Sequence, residues 1–394
     1  MIEPATKVIC MRDANSRSCP LRRLQKHLRI SVLSGCLALG AASVLPISST
    51  EACSFHNYVP ARTAVDWVLT GRAAVLARPD PENGFSYTVT EVLRGKGEID
   101  PPPFLIDSVT RRKLEQNLND AILFGMRENG SWIRVAYVND DYRQILQNVV
   151  AKAPEWRRED YHPQRFERFS KYLGHADPAL SKLALLEIDR APYALLSRFG
   201  SDVPLTYLTE QLRSRDAYAY RPILALLLGL NRSAEAQAVI NNYIDRSMDW
   251  EWAEHLGPFA TALIEQQGEI GIARLKPFLT DHGQPLAKLE SVVEALAIHH
   301  GVGSPAIRKA VFDVLTAFAR SRPGGSVLIA RQFSQRQNWA FGASLEPLLQ
   351  TSGDLSSGGK LVLAAYVPVS REPRTNGTGE AASAMKQMQE LKVQ

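Results

Sequence analysis

Between Asp66 and Val138 apolar residues recur at every second position. Trp67-Val68-Leu69 leads into Gly71-Arg72-Ala73-Ala74-Val75-Leu76, which reads as a strand. Asn83-Gly84 follows, and then Phe85, Tyr87 and Val89 alternate with Ser86, Thr88 and Thr90. An Asn-Gly pair between two such runs marks a hairpin, because both residues tolerate the left-handed backbone of a tight turn. A second hairpin is expected where Ala121-Ile122-Leu123-Phe124 passes through Asn129-Gly130 into residues 132–138, with Ile133, Val135 and Tyr137 on one face. Pro101-Pro102-Pro103 and Phe104-Leu105-Ile106 lie between the hairpins, and the prolines suit an edge or a loop, not a central strand. About five strands with few helices predict a small barrel or sandwich.

After about Lys152 the period becomes 3.6. In residues 285–300, Leu286, Leu289, Val293, Leu296 and His300 fall on one helical face, flanked by Val292 and Ala297. Ser304-Pro305 then starts a helix carrying Ile307, Val311, Val314 and Phe318. Asp177-Pro178 and Val203-Pro204 repeat that start signal, in which proline occupies the first helical turn, where its missing N–H costs nothing. Helix pairs are expected to begin near 177, 217, 250, 285 and 326. Their spacing of about 33 to 41 residues is that of helical-hairpin repeats. Gly229, Gly268, Gly301 and Gly303 fall where such helices would end.

A different pattern precedes both regions. Arg22, Arg23, Lys26 and Arg29 come before an uncharged apolar run from Ile30 to Ile47, and small residues lead up to Cys53. That is the layout of a secretory signal, cut so that Cys53 becomes the first mature residue. The run is about 18 residues, just long enough to span a bilayer if uncleaved. Leu33-Ser34-Gly35-Cys36 also has the form of a bacterial lipobox. A membrane association is therefore expected only if the signal is retained or Cys36 is lipidated. Residues 1 to 52 hold seven Lys or Arg against three Asp or Glu, so they carry +4 of the chain's +5. The remainder is near neutral, which removes the electrostatic case for nucleic-acid binding. Of the four cysteines, Cys10, Cys19 and Cys36 fall in the expected signal and Cys53 stands alone after it. The mature chain must then be held by an apolar core without internal disulfides.

Ala52-Cys53-Ser54, the Ala64-Val65-Asp66 segment running on to Gly71-Arg72-Ala73, and Phe85 to Gly95 follow one another in an order that resembles the netrin-like domain of the tissue inhibitors of metalloproteinases and their bacterial relatives. The resemblance covers residues of about 53 to 138 and implies a five-stranded OB-type barrel. In that family the terminal amine and carbonyl of the first cysteine chelate the zinc of a target protease. Here Phe55 stands where the family has a second cysteine, and no later cysteine can pair with Cys53. The helical region resembles HEAT-like repeats.

The expected architecture is α+β multidomain: a signal with a polar extension over 1–52, a five-stranded OB-like barrel over 53–150, an all-α HEAT-like array of helical hairpins over 151–370 and a flexible tail over 371–394. Candidate chemistry is sparse. Cys53 and His56 are weak metal candidates, since thiolate, imidazole and terminal amine suit a soft ion. His299-His300 closes an apolar helix, and adjacent helical residues point about 100° apart, which disfavours joint ligation. Glu251 and His255 are four apart, on one helix face, but the metalloprotease pattern needs a second histidine. Asp80, Glu82, Asp140 and Asp141 sit where turns favour aspartate. No catalytic residues, resident metal or cofactor are assigned. The expectation is an exported, periplasmic or extracellular, non-catalytic scaffold that binds a protein partner through its helices and binds no nucleic acid. Two alternatives are an envelope hydrolase with a site between the two regions, and a metalloprotease inhibitor acting through Cys53.

Overall fold

The computed structural model describes residues 62–158, 162–351, 353 and 355–371. The expected signal, Cys53 and His56, and the tail after Arg371 lie outside these residues. Among them are sixteen α-helices and one four-stranded antiparallel sheet, an α+β architecture in which helices predominate.

Helix α1 (Ala64–Thr70) opens the described fold. The sequence reading ran a period-two segment through these residues, and the difference comes from a reciprocal cap. The Thr63 hydroxyl accepts from the Asp66 N–H, and the Asp66 carboxylate accepts from the Thr63 N–H at 2.8 Å. Both expected hairpins are present. β1 (Ala73–Pro79) pairs with β2 (Tyr87–Arg94), and β3 (Ala121–Met126) pairs with β4 (Trp132–Val138). β1 also pairs with β3, giving the order β2-β1-β3-β4. In the first connection the Asn83 carbonyl accepts from Ser86 N–H at 2.9 Å; in the second Gly130 takes φ +82°, a conformation open to glycine.

The sheet is open, so the five-stranded barrel expected from the resemblance is not what the described residues form. β2 and β4 are its two edges. Phe104-Leu105-Ile106 runs as irregular chain, and the prolines before it have no N–H for a ladder. Ile106 instead plugs the sheet: its N–H donates to Phe85 O at 2.9 Å, and its side chain joins Leu114 of α2 (Ser108–Gln116) over Val75, Ala77, Ile122 and Phe124. The opposite face, with Ala74, Leu76 and Leu123, packs against α1 and α3 (Asp140–Trp156). Burial on both faces explains why Ala73-Ala74-Val75-Leu76-Ala77 is apolar throughout. Asn139 caps α3 by accepting from Tyr142 N–H at 2.9 Å, so the helical period begins there and not near Lys152.

The chain continues through α4 (Pro163–Ser170), α5 (Pro178–Ile188), α6 (Tyr193–Phe199), α7 (Leu205–Arg213), α8 (Arg221–Leu230), α9 (Ala234–Asp249), α10 (Leu256–Gln267), α11 (Glu269–Thr280), α12 (Leu286–Val302), α13 (Pro305–Ser321), α14 (Pro323–Gln335), α15 (Gly342–Thr351) and α16 (Ser357–Arg371). Asp177 and Ser304 cap α5 and α13, each with proline in the first turn as expected. Alternate helices α8, α10, α12, α14 and α16 pack on one another in chain order. At the α8–α10 crossing Gly229 lies so close that an added Cβ would be 2.6 Å from the Ala262 Cα.

Helix α12 departs from the single stripe read from its sequence. Leu286 is exposed, and Lys288, Leu289, Val292, Val293, Ala295, Leu296, Ala297 and His299 are buried. The cause is position: α12 touches α10, α11, α13 and α14, so burial reaches well beyond one face. One continuous apolar core runs from Ala64 beneath the sheet to Val367 in α16.

Candidate functional site

The most distinctive surface lies where α9 turns into α10. Tyr243, on α9, stacks on Phe259 of α10 with ring centroids 3.8 Å apart, and Trp250 meets Tyr243 edge-on at 5.4 Å. The Arg246 guanidinium sits over the Trp250 ring at 4.8 Å. The Tyr243 hydroxyl accepts from the His255 N–H at 3.1 Å and so fixes the connecting loop. Beside it Tyr218 donates to the Glu254 carboxylate, packs edge-on against His255 at 5.6 Å, and lies beneath the Arg221 guanidinium at 4.6 Å. On this braced loop Trp252 is 77% exposed, and Tyr218 is 44% exposed.

Two polar atoms in the group, His255 Nε2 and Arg221 Nε, are buried without a hydrogen-bond partner. Burial lowers the pKa of His255, while Glu254 pulls the other way, so the ring is held neutral near pH 7. Glu251 and His255 do not share a helical face, contrary to the sequence reading. The chain is irregular between Trp250 and His255, and α10 starts at Leu256. Pro258 falls in the first turn of α10, where its missing N–H leaves no intrahelical bond unmade.

The other residues raised by the sequence hold structural places. His299 is the buried member of its pair, contrary to the stripe that assigned this to His300. Its Nε2 is 2.9 Å from Thr261 O and its ring meets Tyr193 edge-on. His300 is half-buried against Phe333 and Phe341 and pairs with Asn338. Asp80 accepts from Glu82 N–H at 2.8 Å in the β1–β2 turn, and Asp140 accepts from Asn119 at 3.1 Å.

A buried ionic cluster that the sequence did not announce joins the sheet region to the helices. Arg165 of α4 bonds Glu187 of α5 at 2.7 Å and Asp66 of α1 at 3.0 Å. Arg190 pairs with the other Asp66 oxygen, and the Thr63 hydroxyl donates to Glu187. Burial raises the Asp66 pKa, but Arg190 and Arg165 outweigh it and hold the carboxyl below its usual value of 3.8. Burial likewise opposes the charge on Arg165, and the Glu187 and Asp66 carboxylates reverse that and raise it. Each member is bonded to another, so the group serves as a latch and offers no free acid or base for the hydrolase alternative. The Thr63-x-x-Asp66 spacing is a capping signal visible in sequence; the partners 99 and 124 positions away are not.

No family model, curated protein or solved structure matches the chain. Among the described residues no group of three or more His, Cys, Asp or Glu is placed to hold a metal ion, and no helix is long and apolar enough to cross a membrane.

Proposed function

We propose that the chain is an exported, non-catalytic interaction protein whose HEAT-like helical stack binds a protein partner through the face around Trp252. The observation that carries this reading is the exposure of Trp252 at 77% on a loop braced by the Tyr243, Phe259 and Trp250 rings. Tryptophan, tyrosine and arginine supply most interface hot spots, and a braced loop loses little entropy on binding. The alternate packing of α8, α10, α12, α14 and α16 supports the repeat reading, since stacked hairpins present a long surface. Export rests on the basic-apolar-small pattern ending at Cys53, and kinship of the sheet region with netrin-like domains rests on the residue order from Cys53 to Gly95.

Capture of envelope proteins on immobilised wild-type and Trp252→Ala protein tests the binding role. A specific partner should lose at least about tenfold in affinity with the variant, the range of a hot-spot truncation. Equal capture by both, with unchanged circular dichroism, would exclude this face. Mass spectrometry of the N-terminus tests export, which requires chains beginning at Cys53, retaining a membrane-bound signal or lipidated at Cys36.

A further inference from the structure

Far along the chain from the aromatic face, four cations line a single cleft. Arg72 precedes β1, Arg94 ends β2, Lys96 lies in the turn after it and Arg157 caps α3. With Leu93 and Gly95 they line an open cleft of ≈ 570 Å³. Two of the cations are fixed by carbonyls: Arg94 donates to Gly71 O, and Arg72 to Glu128 O at 3.3 Å. Lys96 and Arg157 are exposed, and among the described residues none of the four forms an ion pair. Burial, and then the charge of Arg157, depress the Arg94 pKa; Glu128 opposes this and Arg62 adds to it.

This concentration of charge is not a reflection of a basic body. Once residues 1 to 52 are set aside, the chain is within one charge of neutrality. Like charges held together repel unless an anion joins them, and guanidinium groups match the paired oxygens of phosphate. Gly95 at φ +135° turns the chain at the end of β2, and the place its Cβ would take is filled by Ile99, so the cleft is shaped by the four cationic side chains. We propose that the cleft formed by Arg72, Arg94, Lys96 and Arg157 is a binding site for a phosphate group, carried either by a small soluble molecule or by a lipid headgroup.

The test uses the exposed pair, because Arg94 and Arg72 also brace the backbone. Full-length wild-type protein and Lys96→Gln/Arg157→Gln are titrated with pyrophosphate by calorimetry at low salt, and sedimented with vesicles of phosphatidylglycerol or of phosphatidylcholine. Saturable pyrophosphate binding, weakened about tenfold or more in the double variant, supports the site, since two charge-assisted contacts are removed. Sedimentation with phosphatidylglycerol alone, lost in the variant, assigns a headgroup; pyrophosphate binding without vesicle binding assigns a soluble ligand. Absence of both, or equal binding by wild type and variant, overturns the proposal. A Lys276→Gln/Lys360→Gln variant, which removes two exposed charges on α11 and α16, provides the comparison for loss of general positive charge and should bind pyrophosphate as the wild type does.

Discussion

Arg165 shows how much one side chain can carry. It is 6% exposed, and it neutralises Glu187, which is 0% exposed. Arg165→Met should therefore destabilise the protein by roughly 3–5 kcal/mol, because it leaves a buried carboxylate without a cation. Arg165→Met combined with Glu187→Leu should recover much of that loss, and chemical denaturation of the four proteins in the cycle measures it. Asp66 adds a pH dependence whose sign follows from its lowered pKa. The ionised form is favoured in the folded state, so its contribution is present above about pH 4 and is lost as pH falls through the folded value. Melting temperature should drop in that acid range, and Asp66→Asn should flatten the drop while lowering stability at neutral pH. The period-two pattern that starts at Asp66 hides this cluster. Thr63 and Asp66 have the spacing of a cap, whereas nothing local marks Arg165 or Glu187 as buried, since long-range ion pairs leave no periodic trace.

At the level of elements, legibility tracked how local the cause was. Caps at Asp177 and Ser304 and the two Asn-Gly hairpins are decided by a few adjacent residues, and these were read correctly. The second buried face of α12 and the plugging role of Ile106 depend on neighbours distant in sequence, and they were missed. The loop around Trp252 is intermediate: Pro258 favours a helix start close before it, but the four-residue spacing of Glu251 and His255 does not show that the start falls after them. Two glycines on helices separate packing from propensity. Gly229→Ala should destabilise by about 1–3 kcal/mol, because its Cβ would press on the α10 backbone at 2.6 Å. Gly301→Ala meets nothing within 4 Å and should gain roughly 0.5–1 kcal/mol from helix propensity. Thermal unfolding of the two variants should thus shift in opposite directions. Equal shifts would contradict the α8–α10 crossing.

For the whole molecule, the sheet and the helices share a core and a latch, and the anion cleft and the aromatic face are built from different elements. Loss of phosphate binding in Lys96→Gln/Arg157→Gln should therefore leave partner capture intact, and Trp252→Ala should leave pyrophosphate binding intact. A variant in which both fail together would point to global unfolding, which circular dichroism would reveal. The α+β class and the division into an early strand-rich and a later helical region were legible because both rest on hydrophobic period. The openness of the sheet was not, because closure depends on strand tilt and edge pairing, which residue patterns leave unspecified.

The latch also dictates an order of assembly. Thr63 and Glu187 are 124 positions apart, so α1 can settle on α3 and the sheet but its latch cannot close until α5 exists. A nascent or truncated chain ending at residue 156 would hold Asp66 with neither of its guanidinium partners, and the apolar side of α1 would lack part of its cover. Such a fragment should stay susceptible to protease and expose surface that chaperones recognise, while one reaching past Arg190 should gain resistance abruptly. The helix that opens the described fold is thus completed late, by residues synthesised well after it.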